Sequence, residues 1–278
     1  MLNYLYKISN ISIFVILLLI TISLAVVTIL LSKRYIFFRL KYRDNTTISS
    51  ISSLIGIIYG VLVGFIALYL IDNNDHASNA VLREASAVAN IYRDSQWLEE
   101  PTPGQIRNQL ESYMDKVIHV EWPLMRQGKA ADMGGDIIIQ NISKGLTNYQ
   151  IMNARDALII QDVLIELKTL YNARHERITM SVSQLSPEIW EVILVGTILI
   201  IGINYAFRVN FYLHLFAISA FAIMAASVLF LLVTLDRPFQ GEFRIEPSAF
   251  QSVLNLMRGY PGYSSALLKK QPAAANSF

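Results

Sequence analysis

Gly56, Gly60 and Gly64 repeat every four residues, and Ser49, Ser53 and Ala67 extend the same stripe. Small residues at this spacing share one helix face. They let a second helix approach closely, and close packing drives helix association in a bilayer. Two arrangements are compatible with the stripe. It packs against another helix of the same chain, or it gathers copies of one helix about an axis. In the second case Ile57, Val61 and Phe65 form an apolar constriction of the kind that gates a pore by dewetting. Directly after the stripe comes Asp72-Asn73-Asn74-Asp75-His76. Repeated by symmetry, Asp72, Asn73, Asp75 and His76 become rings of oxygen ligands and carboxylates at a pore mouth, and acidic rings favour cations. The competing reading is helix capping, in which Asp or Asn opens a new helix.

Two other clusters carry charge beside aromatic residues. Asp236-Arg237-Pro238-Phe239 follows the last apolar run. It reads as a structural clamp, an Asp–Arg pair with a proline that ends the helix, or else as part of an ion pathway. Glu121-Trp122-Pro123 reads in the same way as a helix end with an anchoring tryptophan. Patterns for catalysis are missing. The chain has no cysteine, which rules out disulfides, thiolate metal sites and cysteine nucleophiles. His76, His119, His175 and His214 lack metal-ligand spacing. There is no phosphate-binding glycine loop, HExxH or GxSxG. The sequence therefore predicts neither an enzyme nor a metal or cofactor carrier. Nucleic acid is excluded as a partner, because the one basic cluster, at 33–43, reads better as a topology signal.

The elements that position these residues are membrane helices. Of the 278 residues 54% are hydrophobic and only 16% charged. A soluble chain carries about 25% charge. The net charge of +2 points to no polyanionic partner. Four apolar runs stand out, at 9–32, 51–71, 192–207 and 211–235. A helix crosses the hydrocarbon core with about 20 apolar residues. The third run is shorter, and Ser186-Pro187-Glu188 extends it as N-cap, first-turn proline and early acid, which places Trp190 at the interface. None of the runs holds Asp, Glu, Lys or Arg in its core, whereas pumps and ion-coupled transporters usually need one. The first run is too long for a signal peptide.

The expected fold class is an all-α membrane protein with four transmembrane helices and an extramembrane helical domain between spans two and three. The expected organisation is spans one and two with a basic loop at 1–71, the domain at 72–187, spans three and four at 188–235, and a C-terminal tail at 236–278. Lys33, Arg34, Arg39, Lys41, Arg43 and Arg208 make the short loops basic, so those loops are expected to be cytoplasmic and the domain to face outward. Arg83, Arg174, Arg177, Arg237 and Arg244 compete from the other side. Within the domain, helical periodicity gives three stripes: Val81, Ala85, Val88 and Tyr92; Ile106, Leu110, Met114 and Val117; Ile160, Val163, Leu167 and Leu170. Pro101 to Gly104 separates the first two helices, and Met133-Gly134-Gly135 reads as a loop before the third. In the tail, Pro247 opens an amphipathic helix with Phe250, Val253, Leu254 and Met257 on one side, and 271–278 reads as disordered.

Several of these stretches together resemble a bacterial inner-membrane family labelled bestrophin-like and otherwise classed as a domain of unknown function. They are Leu82-Arg83-Glu84-Ala85-Ser86-Ala87 with Tyr92-Arg93, Glu121-Trp122-Pro123, Asp236-Arg237-Pro238-Phe239-Gln240-Gly241, and the glycine-containing second span. The resemblance covers nearly the whole chain. It implies a multi-pass inner-membrane protein whose partners are the lipid bilayer, further copies of itself in a homo-oligomer, and inorganic ions. The bestrophin label implies an ion channel with its pore lined by the second span. It also implies a cytosolic domain, opposite to the charge rule. A non-conducting envelope sensor or scaffold that binds a partner through its helical domain is the other expectation.

Overall fold

The computed structural model describes residues 8–31, 44–129, 134–203 and 210–259. The basic 33–43 cluster, Arg208, Met133 and the 271–278 tail lie outside them. Every regular element among the described residues is helical, in the order α1 (Asn10–Leu31), α2 (Asp44–Ser95), α3 (Thr102–Lys116), a π-helical turn (Val117–Glu121), α4 (Trp122–Arg126), α5 (Gly134–Thr147), α6 (Ala154–Val182), α7 (Pro187–Ile203), α8 (Phe211–Leu235) and α9 (Ser248–Met257). The chain divides into two compact units, one formed by 1–74 with 183–244 and the other by 75–182 with 245–278.

The first unit holds the apolar helices. Three helices are long and apolar enough to cross a membrane, or up to four if α6 and α7 are counted together. Four independent spans are thus not reached by the described residues. The helix α7 has 17 residues, so it is short for a span by itself. Ile13 of α1, Val63 and Leu70 of α2, Trp190 and Ile193 of α7, and Leu229, Leu232 and Val233 of α8 form one buried cluster with Leu185. Phe14 meets Phe230 edge to face at 5.5 Å. Hydroxyls that would otherwise be unpaired in lipid bond back to their own helix, as Thr28 does to the Leu24 carbonyl at 2.8 Å. Trp190, expected at the interface, is buried in this cluster, and its indole N–H finds no partner among the described residues.

The second unit is a helical domain. The three stripes read from the sequence form its interior: Val81, Ala85, Val88, Ile106, Leu110, Met114, Val117, Ile160, Val163, Leu167 and Leu170 are all buried, and Tyr92 is half-buried at the end of the first. The amphipathic α9 closes over the same interior through Phe250, Leu254 and Met257. Arg107 fixes its end by donating to the Met257 carbonyl at 2.9 Å. Gly134 and Gly135, expected in a loop, instead form the first turn of α5. Gly135 reflects crowding rather than a turn, because a Cβ there would fall on the Arg174 guanidinium.

Candidate functional site

Helix α2 runs unbroken for 52 residues through the glycine stripe and through Asp72 to His76. The polar exit therefore caps no helix, contrary to the capping reading. Asp72, Asp75 and His76 are exposed along the helix, whereas Asn73 is buried. Asn74 donates to the Leu70 carbonyl at 2.9 Å and to the Leu235 carbonyl at 2.7 Å. The second bond satisfies a carbonyl orphaned at the end of α8.

A Cβ placed at Gly56, Gly60 or Gly64 meets no atom within 4 Å. Ile57, Val61 and Phe65 beside them are 65%, 55% and 69% exposed, and Ser53 is exposed too. No described helix of the chain covers the three glycines, although Ala67 at the end of the stripe packs against the buried cluster. The face of α2 that does pack within the unit carries Tyr59, Val63, Ile66 and Leu70, spaced by three and four residues. At Tyr59 the contact is intimate. Its hydroxyl shares a 2.7 Å hydrogen bond with the Thr197 hydroxyl, and its ring lies where a Cβ at Gly196 would come within 2.3 Å. Gly196 is therefore the glycine that helix packing requires, and the small-residue rule pointed to a different set.

The clamp residues also behave differently from a simple pair. Asp236 is buried, and its carboxylate accepts the Leu185 N–H at 2.6 Å. Arg237 donates to the Gln184 side-chain carbonyl. Both residues thus hold the segment at 183–186, just before α7, and Pro238 and Phe239 are buried behind them. The charge at the end of α8 is used to dock a chain turn.

Glu121-Trp122-Pro123 is neither a helix end nor a membrane anchor. Glu121 closes the π-helical turn and α4 continues from it. Trp122 is 1% exposed, its N–H donates to the Ile245 carbonyl at 3.2 Å, and its ring meets Phe250. A π-helical turn shifts the side-chain phase, and here Glu121 faces the interior. It meets Arg174 there through Nη1 at 2.8 and 2.7 Å, and Arg177 through Nη2 at 2.8 Å. Arg177 also forks onto Glu84 of α2 at 2.6 and 2.9 Å. Arg174 Nε reaches Asp136 of α5 at 2.7 Å. Tyr113 donates its hydroxyl to Glu84. The Arg177 guanidinium lies 5.4 Å from the centre of the Trp122 ring.

Glu84, Glu121, Arg174, Arg177 and Tyr113 are all inaccessible to solvent. Burying charge is costly unless every donor and acceptor finds a partner, and this network supplies them. Burial by itself lowers the Arg177 pKa, but Glu84, Tyr113 and Glu121 together outweigh it and the net shift is upward. Arg174 moves the same way: burial lowers it, and Glu121, Tyr113 and Asp136 together outweigh that. Burial pushes Tyr113 well above its ordinary value, and the Glu84 charge adds to that. Arg174 and Arg177, which the sequence places near a membrane end, lie inside the domain instead, and the stripe Ile160, Val163, Leu167, Leu170 continued by helical steps lands on both. Among the described residues no three His, Asp or Glu side chains gather as a metal site.

A family model described as Bestrophin-like domain matches residues 18–250 of the chain. No curated protein shows significant similarity to it. Among solved structures, a bacterial bestrophin homologue from Klebsiella pneumoniae is similar in fold. One variant of it aligns with a TM-score of 0.70 at 12% identity, covering 88% of this chain and 99% of that one. A second variant gives 0.70 at 14% identity over 91% and 99%.

Proposed function

This chain belongs to the bestrophin-like family, and on that premise we propose that it forms a homo-oligomeric ion channel or pore of a bacterial inner membrane, with α2 nearest the axis. One observation carries the reading. The stripe of Gly56, Gly60 and Gly64, with Ile57, Val61 and Phe65 beside it, is left uncovered by the rest of the described chain. A face of small residues packs well against a helix and poorly against lipid alone. Copies of α2 around an axis cover it and bring the apolar side chains together as a constriction. Asp72 and Asp75, both exposed, then ring the mouth and favour cations. The spans are taken as four, with α7 as the third, and the domain as facing outward by the charge of the 33–43 loop.

Purified chain in planar bilayers tests the reading. A cation-preferring conductance is expected, and Asp72→Asn with Asp75→Asn should weaken that preference. Silence across voltage, pH and calcium would overturn the channel. The variant Gly60→Leu has room within the protomer, so it should fold normally and give a smaller particle by mass in detergent. A silent but intact oligomer would favour the scaffold reading.

A further inference from the structure

Between α2 and α7 the first unit holds a groove with a cavity of about 530 Å³. Its walls are two helical stripes. From α2 come Ile55, Ile58, Tyr59 and Leu62, and from α7 come Val192, Val195, Gly196 and Leu199, with Glu188 and Glu191 at one end. Among the described residues no basic side chain lines it. The order along α7 is that of an amphiphile. Two carboxylates stand in the first turns, and aliphatic residues follow deeper into the helix.

Glu188 alone has an ordinary explanation, because an acid in the first turn suits the helix dipole. Glu191 does not. It is exposed beyond the first turn, directly before the apolar run that begins at Val192, where a charge turned towards lipid is costly unless paired. Glu191 also shares its face with Glu188, three residues away. A cation held by both removes the cost. Ile58 and Leu62 lie two residues either side of Gly60, about 200° around the helix. If the glycine stripe faces other copies, as proposed above, the groove faces lipid.

We infer that this groove binds a membrane phospholipid with a primary ammonium headgroup, namely phosphatidylethanolamine. The ammonium sits between Glu188 and Glu191, and one acyl chain lies along Val192, Val195, Leu199 and Ile58. An ammonium donates up to three charge-assisted hydrogen bonds to carboxylates. A choline headgroup has no N–H to donate, and an anionic headgroup is repelled. The lipid is an outer-surface ligand of α2 and α7, so its binding does not depend on conduction.

The test is lipid retention by the full-length chain. Delipidated protein in detergent is offered phosphatidylethanolamine, phosphatidylcholine or phosphatidylglycerol, and bound lipid is counted by native mass spectrometry. Phosphatidylethanolamine should be retained over the other two. Glu188→Gln with Glu191→Gln should reduce that retention roughly tenfold, the weight of one charge-assisted hydrogen bond. These positions are exposed, so the fold should survive. Val195→Trp should fill the groove and exclude all three lipids. Equal retention of the three, or retention unchanged by the double substitution, would overturn the inference. Cysteines at Leu62 and Val195 that cross-link between subunits, with no lipid retained, would also overturn it and assign the groove to a second copy. A silent protein that still selects phosphatidylethanolamine would sink the channel reading and leave the lipid site standing.

Discussion

At position 135 only glycine leaves room for the Arg174 guanidinium, because a Cβ there would lie 2.4 Å from its Cζ. Gly135→Ala should therefore dislodge a buried cation from its carboxylates, at a cost of about 3–5 kcal/mol. Gly145 in the same helix meets nothing within 4 Å. Alanine there should stabilise the domain by about 1 kcal/mol through helix propensity. Thermal unfolding of the two variants in detergent should shift in opposite directions, and a matching shift would dismiss the crowding argument. Tyr113 gives a pH prediction. It stays protonated in the folded domain, while the unfolded chain ionises near pH 10. The native state then holds more protons above that pH, so its stability should fall as pH rises through 10. Tyr113→Phe should flatten this alkaline loss, at the cost of a hydrogen bond to a buried carboxylate, about 1.5–3 kcal/mol. Denaturant midpoints measured from pH 8 to 11 would check it.

At the level of elements, α2 presents two different glycine relationships. Its own glycines face away from the chain, while its Tyr59 fills the space left by Gly196 on α7. Overpacking a tight contact typically costs about 1–3 kcal/mol. Gly196→Ala should lower the unfolding temperature of the solubilised chain, and Tyr59→Ala in the same protein should recover part of the loss, because the ring causing the clash is gone. Strict additivity of the two substitutions would show that the contact is not the cause. The π-helical turn Val117–Glu121 is the corresponding device in the domain. Without its extra residue per turn, Glu121 and Trp122 would not both face the interior.

For the molecule as a whole the open quantity is sidedness. The chain has no native cysteine, so one introduced thiol reports one place. Gln161 is exposed on α6 of the domain. Gln161→Cys should react with a membrane-impermeant maleimide on intact cells whose outer membrane is permeabilised, if the basic 33–43 loop sets the topology. Labelling only after lysis would put the domain in the cytosol. Arg174 and Arg177, two of the arginines that compete with that loop, are spent inside the domain on Glu84 and Glu121.

The apolar helices and the domain interior were legible in the sequence by itself, for a local reason. Helical period and apolar run length are set by the backbone and by the surrounding solvent, and both can be read one segment at a time. The amphipathic α9 belongs to the same class. What required the tertiary structure was everything in which two distant segments share one space. Gly196 looks unremarkable until Tyr59, 137 positions earlier in the numbering, is laid over it. Gly135 looks like part of a loop until Arg174 needs the room. Arg174 and Arg177 look like flanking charges until Glu84 and Glu121 arrive from two other helices. A buried charge is tolerable only when its partners are in place, and which partners those are is a property of the fold rather than of any local stretch of sequence.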